Sequence, residues 1–238
     1  MKISAQDLDF QELNRKIRLS KEDVCISHCY GQRFIGSGLK ERKVDIYGTP
    51  GNALGAYLDG GEIQVYGNAQ DAVGDTMNDG RIIIHGNAGD ALGYAMRGGC
   101  IYVRGDAGYR TGVHMKEFQN KKPVIVVGGK VGSFLGEYLA GGIIIVLDIE
   151  SSGIPVGNFA GTGMHGGKIF LHMDKKPAGL PVQVSASVAS AEDLEEIRPY
   201  LIEFSEHFDI NLDQIICQNY YVLRPDVKNP YKQLYVAN

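Results

Sequence analysis

The residues that could carry chemistry are few, and each has a plain alternative. GTGMHG at 161–166 satisfies GxGxxG, but a dinucleotide site needs that motif between a strand and a helix, with an acidic residue about 20 positions further on. Here another strand pattern follows, and each glycine falls on or beside a corner of a repeat. Cys25 and Cys29, five residues from end to end as CISHC, invite a metal reading with His114, His165 or His172. Structural zinc sites bring closer cysteine pairs, and catalytic ones bring clustered His and Glu. In an alternating strand the two cysteines share one face while His28 takes the other. That predicts small buried thiols and a surface histidine. GNAQD at 67–71 and GNAGD at 86–90 faintly suggest a calcium β-roll, whose nine-residue period is missing. Asn and Asp are also turn residues, bonding their own backbone. Asp59, Asp75, Asp79 and Asp90 could be the acid cluster of a polysaccharide-cleaving protein, yet they recur at corners instead of gathering on one face. The sequence therefore nominates no catalytic, cofactor-binding or metal-ligating residue in this chain.

What must position all of these is a repeat. VDIYG at 44–48, IQVYG at 63–67, IIIHG at 82–86, IYVRG at 101–105, IVVGG at 125–129, IIVLD at 144–148 and IFLH at 169–172 start 19, 19, 19, 24, 19 and 25 residues apart. Their first and third positions are aliphatic or β-branched, which makes each a short strand with one buried face. Gly48, Gly67, Gly86, Gly105 and Gly129 follow the strands. Seven residues later come Gly55, Gly74, Gly93, Gly112 and Gly136, and three beyond those stand Leu58, Met77, Met96, Met115 and Leu139, rejoined by Met164 after an insertion. Glycine in a regular element costs about 0.5–1 kcal/mol relative to alanine, so a glycine column implies a corner that needs positive φ or close backbone approach in every turn. Strand, corner, apolar wall, corner and strand again describe a single-stranded, right-handed parallel β-helix of about seven coils, an all-β repeat fold. Nineteen residues per coil fits a left-handed hexapeptide helix less well.

The rest of the chain fits around the stack. Residues 1–23 form a helical cap, with apolar residues between 5 and 19 at helical spacing, acids early and bases late. Residues 24–173 are the β-helix, its first strand near 24–31 slipped in register by about a residue. Residues 174–238 hold a helical stretch at 190–208 with Ser190 as N-cap, a strand near 215–223 and an extended tail from 224 to 238. Pro199 is expected to divide the helical stretch in two. The second strand position runs Asp45, Gln64, Ile83, Tyr102, Val126, Ile145, Phe170, polar early and apolar late. The outer face of the late coils must therefore be covered, by the C-terminal segment or by a partner. Two insertions, near 117–123 and 150–157, are candidate binding loops.

Composition agrees with a scaffold. The 238 residues carry 32 glycines, nearly twice the usual share of about 7%, and no tryptophan. A net charge of −4 gives no electrostatic reason to expect nucleic acid or an anionic membrane. The start lacks a signal-peptide pattern, no window reaches the roughly 18 apolar residues of a membrane span, and the four cysteines form no CxxC pair. A cytoplasmic, reducing location is expected.

With its columns in place, the repeat resembles a known family. GEYLAGGIIIVLD at 136–148 and GNFAGTGMHGGKIF at 157–170 look like the C-terminal GXGXG domain of the glutamate synthase large (alpha) subunit. GQRFIGSGL at 31–39, YGTPGNALGAYLDGG at 47–61 and LRPDVKNPYKQLY at 223–235 resemble its stand-alone form. GDTMNDGRIIIHG at 74–86 and GYAMRGGCIYVRG at 93–105 are also similar to the GXGXG-type component of formylmethanofuran dehydrogenase. The first resemblance implies a scaffold without catalytic residues, working beside a glutamine amidotransferase subunit and a synthase subunit that carries FMN and an iron–sulfur cluster. The product of such a system is L-glutamate. The second implies partners in formyl-group metabolism. An independent carbohydrate-active β-helix is a third possibility, and a homo-oligomer is compatible with each.

Overall fold

The computed structural model describes residues 1–150, 153–216 and 219–226. The chain opens with β1 (Lys2–Ser4) and α1 (Phe10–Leu19), then winds through β2 (Val24–Tyr30), β3 (Lys43–Thr49), β4 (Asp59–Tyr66), β5 (Asp79–Ile84), β6 (Cys100–Val103), β7 (Val124–Val127), β8 (Ala140–Val146) and β9 (Gly166–His172). It finishes with β10 (Val184–Val188), α2 (Ala191–Phe208), α3 (Asp213–Ile216) and β11 (Tyr220–Pro225). Strands β1 to β9 pair in parallel in sequence order, and β11 and β10 then continue the sheet antiparallel. The result is a parallel β-helix of eight turns, one more than the seven regular strand starts suggest, because β2 is a full turn. At about 4.8 Å per strand the stack is roughly 38 Å long.

Register follows the aliphatic column. Val44 pairs with Ile63, and the chain of partners continues through Ile82, Ile101, Ile125, Ile144 and Ile169. These residues point inward and are fully buried together with Leu58, Met77, Met96, Met115, Leu139 and Met164. Across the core a second, thinner ladder of parallel bridges links Ala69, Ala88, Ala107, Val131 and Val156.

A second apolar layer lies outside the sheet. Ile83, Tyr102, Val126, Ile145 and Phe170 project outward from successive strands and are buried under Ile197, Leu201 and Phe204 of α2. The chain's own C-terminal helix is thus the cover that the apolar late coils require. That face is closed, and it offers a partner nothing. Helix α2 starts at a capping box in which the Ser190 hydroxyl accepts from the Asp193 N–H and Asp193 accepts from the Ser190 N–H. Pro199 does not divide it. The helix runs unbroken to Phe208, losing one backbone donor at the proline while burial of Ile197, Leu201 and Phe204 on both sides holds it in place.

Three local expectations change. The N-terminal helix is shorter than 5–19, because Lys2–Ser4 pairs with β2 as a strand and the helix begins only after the Asp9 cap. The segment near 215–223 is a four-residue helix and a separate strand, with Cys217 and Gln218 outside the described residues, as is most of the 224–238 tail. Finally, Cys25 and Cys29 do not share a face. His28 takes φ 56°, the pairing of β2 with β3 shifts between Ile26 and Cys29, and this bulge turns Cys29 inward while His28 is exposed.

Candidate functional site

The feature that repeats most strictly is one corner of the coil. In each of seven turns three alternate residues take positive φ, and the middle one is always glycine: Gly36, Gly55, Gly74, Gly93, Gly112, Gly136 and Gly161. The middle position faces the core. A Cβ built on Gly55, Gly74, Gly93, Gly112 or Gly136 would lie 2.4–2.6 Å from the Cδ1 of the isoleucine in the next turn (Ile82, Ile101, Ile125, Ile144 and Ile169 in order). The glycine column and the isoleucine column are one device. Each glycine leaves the room that the isoleucine above it fills. In the last turn Val184 of β10 takes the isoleucine's place over Gly161, a partner that nothing in the repeat pattern singles out.

The flanking positions are left-handed without being glycine. One column reads Phe34, Ala53, Ala72, Ala91, Arg110, Phe134, Phe159, and the other includes Tyr57, Thr76, Ala95, His114 and Tyr138. Such residues cost about 1–2 kcal/mol each in this conformation. The hydrogen-bond lattice of the stack holds them there. Along the corner, N–H groups point alternately forward and back: Ala72 donates to Asp90 O of the turn above, Gly74 to Leu54 O of the turn below, and Thr76 to Tyr94 O above again. The same three bonds recur at Ala91, Gly93 and Ala95. The sequence gives no sign of this, since alanine and tyrosine have no left-handed preference of their own.

The Asn and Asp of the neighbouring segment do not bond their own backbone, as turn residues would. They reach into the next turn. Asn68 Oδ1 accepts from the Asn87 N–H, Asn87 Oδ1 from Asp106, and Asp106 Oδ1 from Lys130, at 2.7–2.8 Å. Beside this ladder, Asp71 accepts from the Asp90 N–H and Asp90 from Tyr109. The faint calcium resemblance at 67–71 and 86–90 is therefore a polar ladder along the stack.

The remaining nominated residues lie apart. Gly161 and Gly163 are corner glycines with φ 73° and 70°, and Gly166 packs against the Ala140 carbonyl. His114 stacks on Tyr138 in the outward corner column, 5.0 Å between ring centres. His165 Nδ1 lies 3.1 Å from Gly163 O, and His172 Nδ1 contacts Leu147 O. Asp59 and Asp79 face Lys121 at 3.7 and 2.9 Å, and Asp75 accepts from the Thr76 hydroxyl. Among the described residues no three His, Cys, Asp or Glu side chains gather as a metal site. Burial pushes the Cys29 and Cys100 thiols up to about 11, far from nucleophilic at neutral pH. The first insertion is not a free loop. Lys121 reaches Asp59 and Asp79 of two earlier turns, and Lys122 pairs with Glu196 of α2 at 3.0 Å. Of the second insertion, Ser151 and Ser152 lie outside the described residues.

Helix α2 is held down by charge as well as by apolar contact. Asp193 receives Lys168 at 3.0 Å and Arg224, and Lys168 also pairs with Glu196 at 2.7 Å. Burial works against the Asp193 charge, but the bonds from Arg224, Lys168 and Ser190 outweigh it and hold the carboxyl well below the ordinary range. At the middle of the helix Glu203 accepts from the buried Tyr102 hydroxyl at 2.8 Å and from Arg81 at 3.2 Å.

What stays exposed is mostly aromatic and lies along the outward corner: Tyr57, Tyr94, Tyr109 and the stacked pair Phe134 and Phe159. Tyr47, Tyr66 and His85 form a second stack on the outer face of β3 to β5. No helix of the described residues is long and apolar enough to cross a membrane.

The corner geometry is the signature by which the chain can be placed, and the profile of the GXGXG motif family matches residues 7–229. The chain belongs to the GXGXG motif family. This is the family of the C-terminal domain of the glutamate synthase alpha chain. An uncharacterized protein of Methanocaldococcus jannaschii is 41% identical over 251 residues, spanning 99% of this chain and 96% of that protein. Among solved structures, a chain of the formyltransferase/hydrolase complex from Methylorubrum extorquens, in complex with methylofuran, matches with a TM-score of 0.65 at 20% identity. The match covers 84% of this chain and 72% of that one. At that identity the likeness is one of fold, and it extends the GXGXG coil to a different assembly.

Proposed function

We propose that this chain is a non-catalytic β-helix scaffold subunit of a split glutamate synthase-like complex. It would hold an amidotransferase subunit beside a synthase subunit bearing FMN and an iron–sulfur cluster, in the cytoplasm, for L-glutamate formation. The observation that carries this reading is that the signature residues build the rod. The middle glycines seat the next turn's isoleucines, and the Asn and Asp side chains hold the next turn's amides. A motif fully engaged in making shape leaves the chemistry to neighbours. Family membership over residues 7–229 supports the amide-transfer setting.

A second reading is favoured by one finding, the shared fold with a chain of a formyltransferase/hydrolase complex. On that reading the same rod would serve a complex acting on formyl groups. One experiment separates the two. The tagged chain, purified at low salt from its own cells, is expected to bring down a flavin- and iron–sulfur-containing subunit with a glutamine-hydrolysing one, seen by visible absorbance, mass spectrometry and release of ammonia from glutamine. Co-purification of a formyl-transferring subunit selects the second reading. A monomer that hydrolyses glycans or glutamine by itself overturns both.

A further inference from the structure

The two ends of the stack are finished differently. At the C-terminal end, β11 and β10 extend the sheet and Val184 covers the last corner. At the N-terminal end, β1 extends the sheet but the first corner, residues 34–40, has no turn beneath it. In the turns above, the equivalent backbone groups are used: Gly55 donates to Ile35 O, Asp59 donates to Leu39 O, and Ala56 O accepts from Gly38. Their first-turn counterparts are the N–H of Gly36, the N–H of Lys40 and the carbonyl of Ser37, and among the described residues none of the three has a partner. Helix α1 meets only one such demand, Asn14 Nδ2 donating to Arg33 O at 2.8 Å.

Between α1 and this open corner runs a groove of about 770 Å³, within the size of ligand clefts. Phe10, Phe34 and Leu39 give it an apolar wall, and its charged side chains are Arg15, Arg18, Lys40 and Arg42. No acidic side chain lines it, in a chain whose net charge is −4. Arg42 is engaged, donating to the carbonyls of Ile17 and Ser20 at the end of α1, and Lys40 pairs with Asp59 at 3.0 Å. Arg15 and Arg18 are exposed on α1 and have no acidic partner among the described residues.

We propose that this groove docks an extended acidic segment of a partner polypeptide, which lies over the first corner as one more piece of turn. Its backbone would take the Gly36 and Lys40 amides and the Ser37 carbonyl, as an added strand takes a sheet edge. Its carboxylates would face Arg15 and Arg18, and an apolar side chain would sit between Phe10 and Phe34. Charge selects against this chain's own tail as the occupant, since residues 227–238 carry Lys228 and Lys232 and no acid. The proposal extends the scaffold reading by giving it a surface, but it rests on the groove alone and holds for either complex.

The test uses the full-length chain and a fluorescein-labelled, end-blocked heptapeptide alternating glutamate with phenylalanine and leucine. Saturable binding in fluorescence anisotropy is expected. It should weaken at least tenfold in the Arg15→Glu/Arg18→Glu variant and between 50 and 500 mM salt, about the range of rim-charge effects. It should be unchanged in Arg198→Glu, on the exposed side of α2. Both arginines are exposed, and unchanged melting temperatures will verify that the variants fold. Hydrogen exchange at the Gly36 and Lys40 amides should slow when the peptide binds, which a purely electrostatic contact would not cause. Four outcomes overturn the proposal: no saturable binding up to 1 mM, equal binding of the lysine version, preference for a 227–238 peptide, or competition by millimolar inorganic phosphate that leaves those amides unprotected. Failure here leaves the co-purification result untouched, so the two ideas fail separately.

Discussion

Replacing Gly93 by alanine tests whether the glycine column exists to seat the isoleucines. The added Cβ would lie 2.4 Å from Ile125 Cδ1 and 3.4 Å from its Cγ1, while carbon atoms in good contact sit about 3.5–4.0 Å apart. Ile125 is fully buried, so its side chain has little room to retreat. Alanine at φ 67° adds left-handed strain of about 1–2 kcal/mol. Overpacking adds roughly 1–3 kcal/mol, for a total of about 2–5 kcal/mol. Ile125→Val removes the Cδ1 and alone costs about 0.5–1.5 kcal/mol. In the double variant the clash disappears and only the strain and the lost methyl group remain. It should therefore be more stable than the sum of the singles predicts by about 1–3 kcal/mol. Urea unfolding followed by circular dichroism, with the slope unchanged and the midpoint shifted, gives all three values. If the two substitutions add to within about 0.5 kcal/mol, the steric account of the column is wrong.

Four further outcomes follow from the same geometry. Ala91→Gly, in the flanking left-handed column, should raise stability by about 0.5–1 kcal/mol, the relief of strain exceeding the added freedom of the unfolded chain, and a thermal melt will register it. Asn87→Ala leaves the Asp106 amide without its acceptor and should cost about 1–2 kcal/mol, with faster hydrogen exchange at that amide. Because the Asp193 carboxyl is held below its unfolded value of about 3.9, its contribution is complete above that pH and is lost as the pH falls through it toward the folded value; urea midpoints measured from pH 6 to 3 should fall more steeply than those of Asp193→Asn. In a Cys217→Ser background, Cys29 and Cys100 should react slowly with a disulfide reagent at pH 8 and rapidly once urea is added, since burial holds both thiols near 11.

Much of the rod was legible because its inward columns are chemically uniform. Period-two isoleucine and valine, a glycine and a Leu/Met column at fixed offsets leave one way to stack them. The outward left-handed columns were not legible, because Phe34, Ala72 and Tyr138 adopt that conformation only under the cross-turn lattice, which no local preference reports. Asn68 and Asp71 look like turn residues in any short window, and their true partners stand 19 positions away. The Cys29 face could have been found. The one-residue slip of the first turn was visible, and a slip of one residue exchanges the faces of a strand. The helical face of Ile197, Leu201 and Phe204 and the apolar outer positions of the late coils were each readable. That they belong to each other was left open between the chain and a partner, since pattern alone does not name the partner of an apolar face.

The division of labour within each corner has an evolutionary consequence. The residue that determines the rod points in, while the two beside it point out and touch no part of the core that the next turn needs. Alanine occupies an outward position at 53, 72 and 91, arginine at 110, and phenylalanine at 134 and 159, with the backbone hardly altered. Shape and surface can then be rewritten independently, as text can be changed on a page without rebinding the book. A lineage of such coils could exchange one set of neighbours for another by substituting outward residues, keeping the same axis, pitch and length.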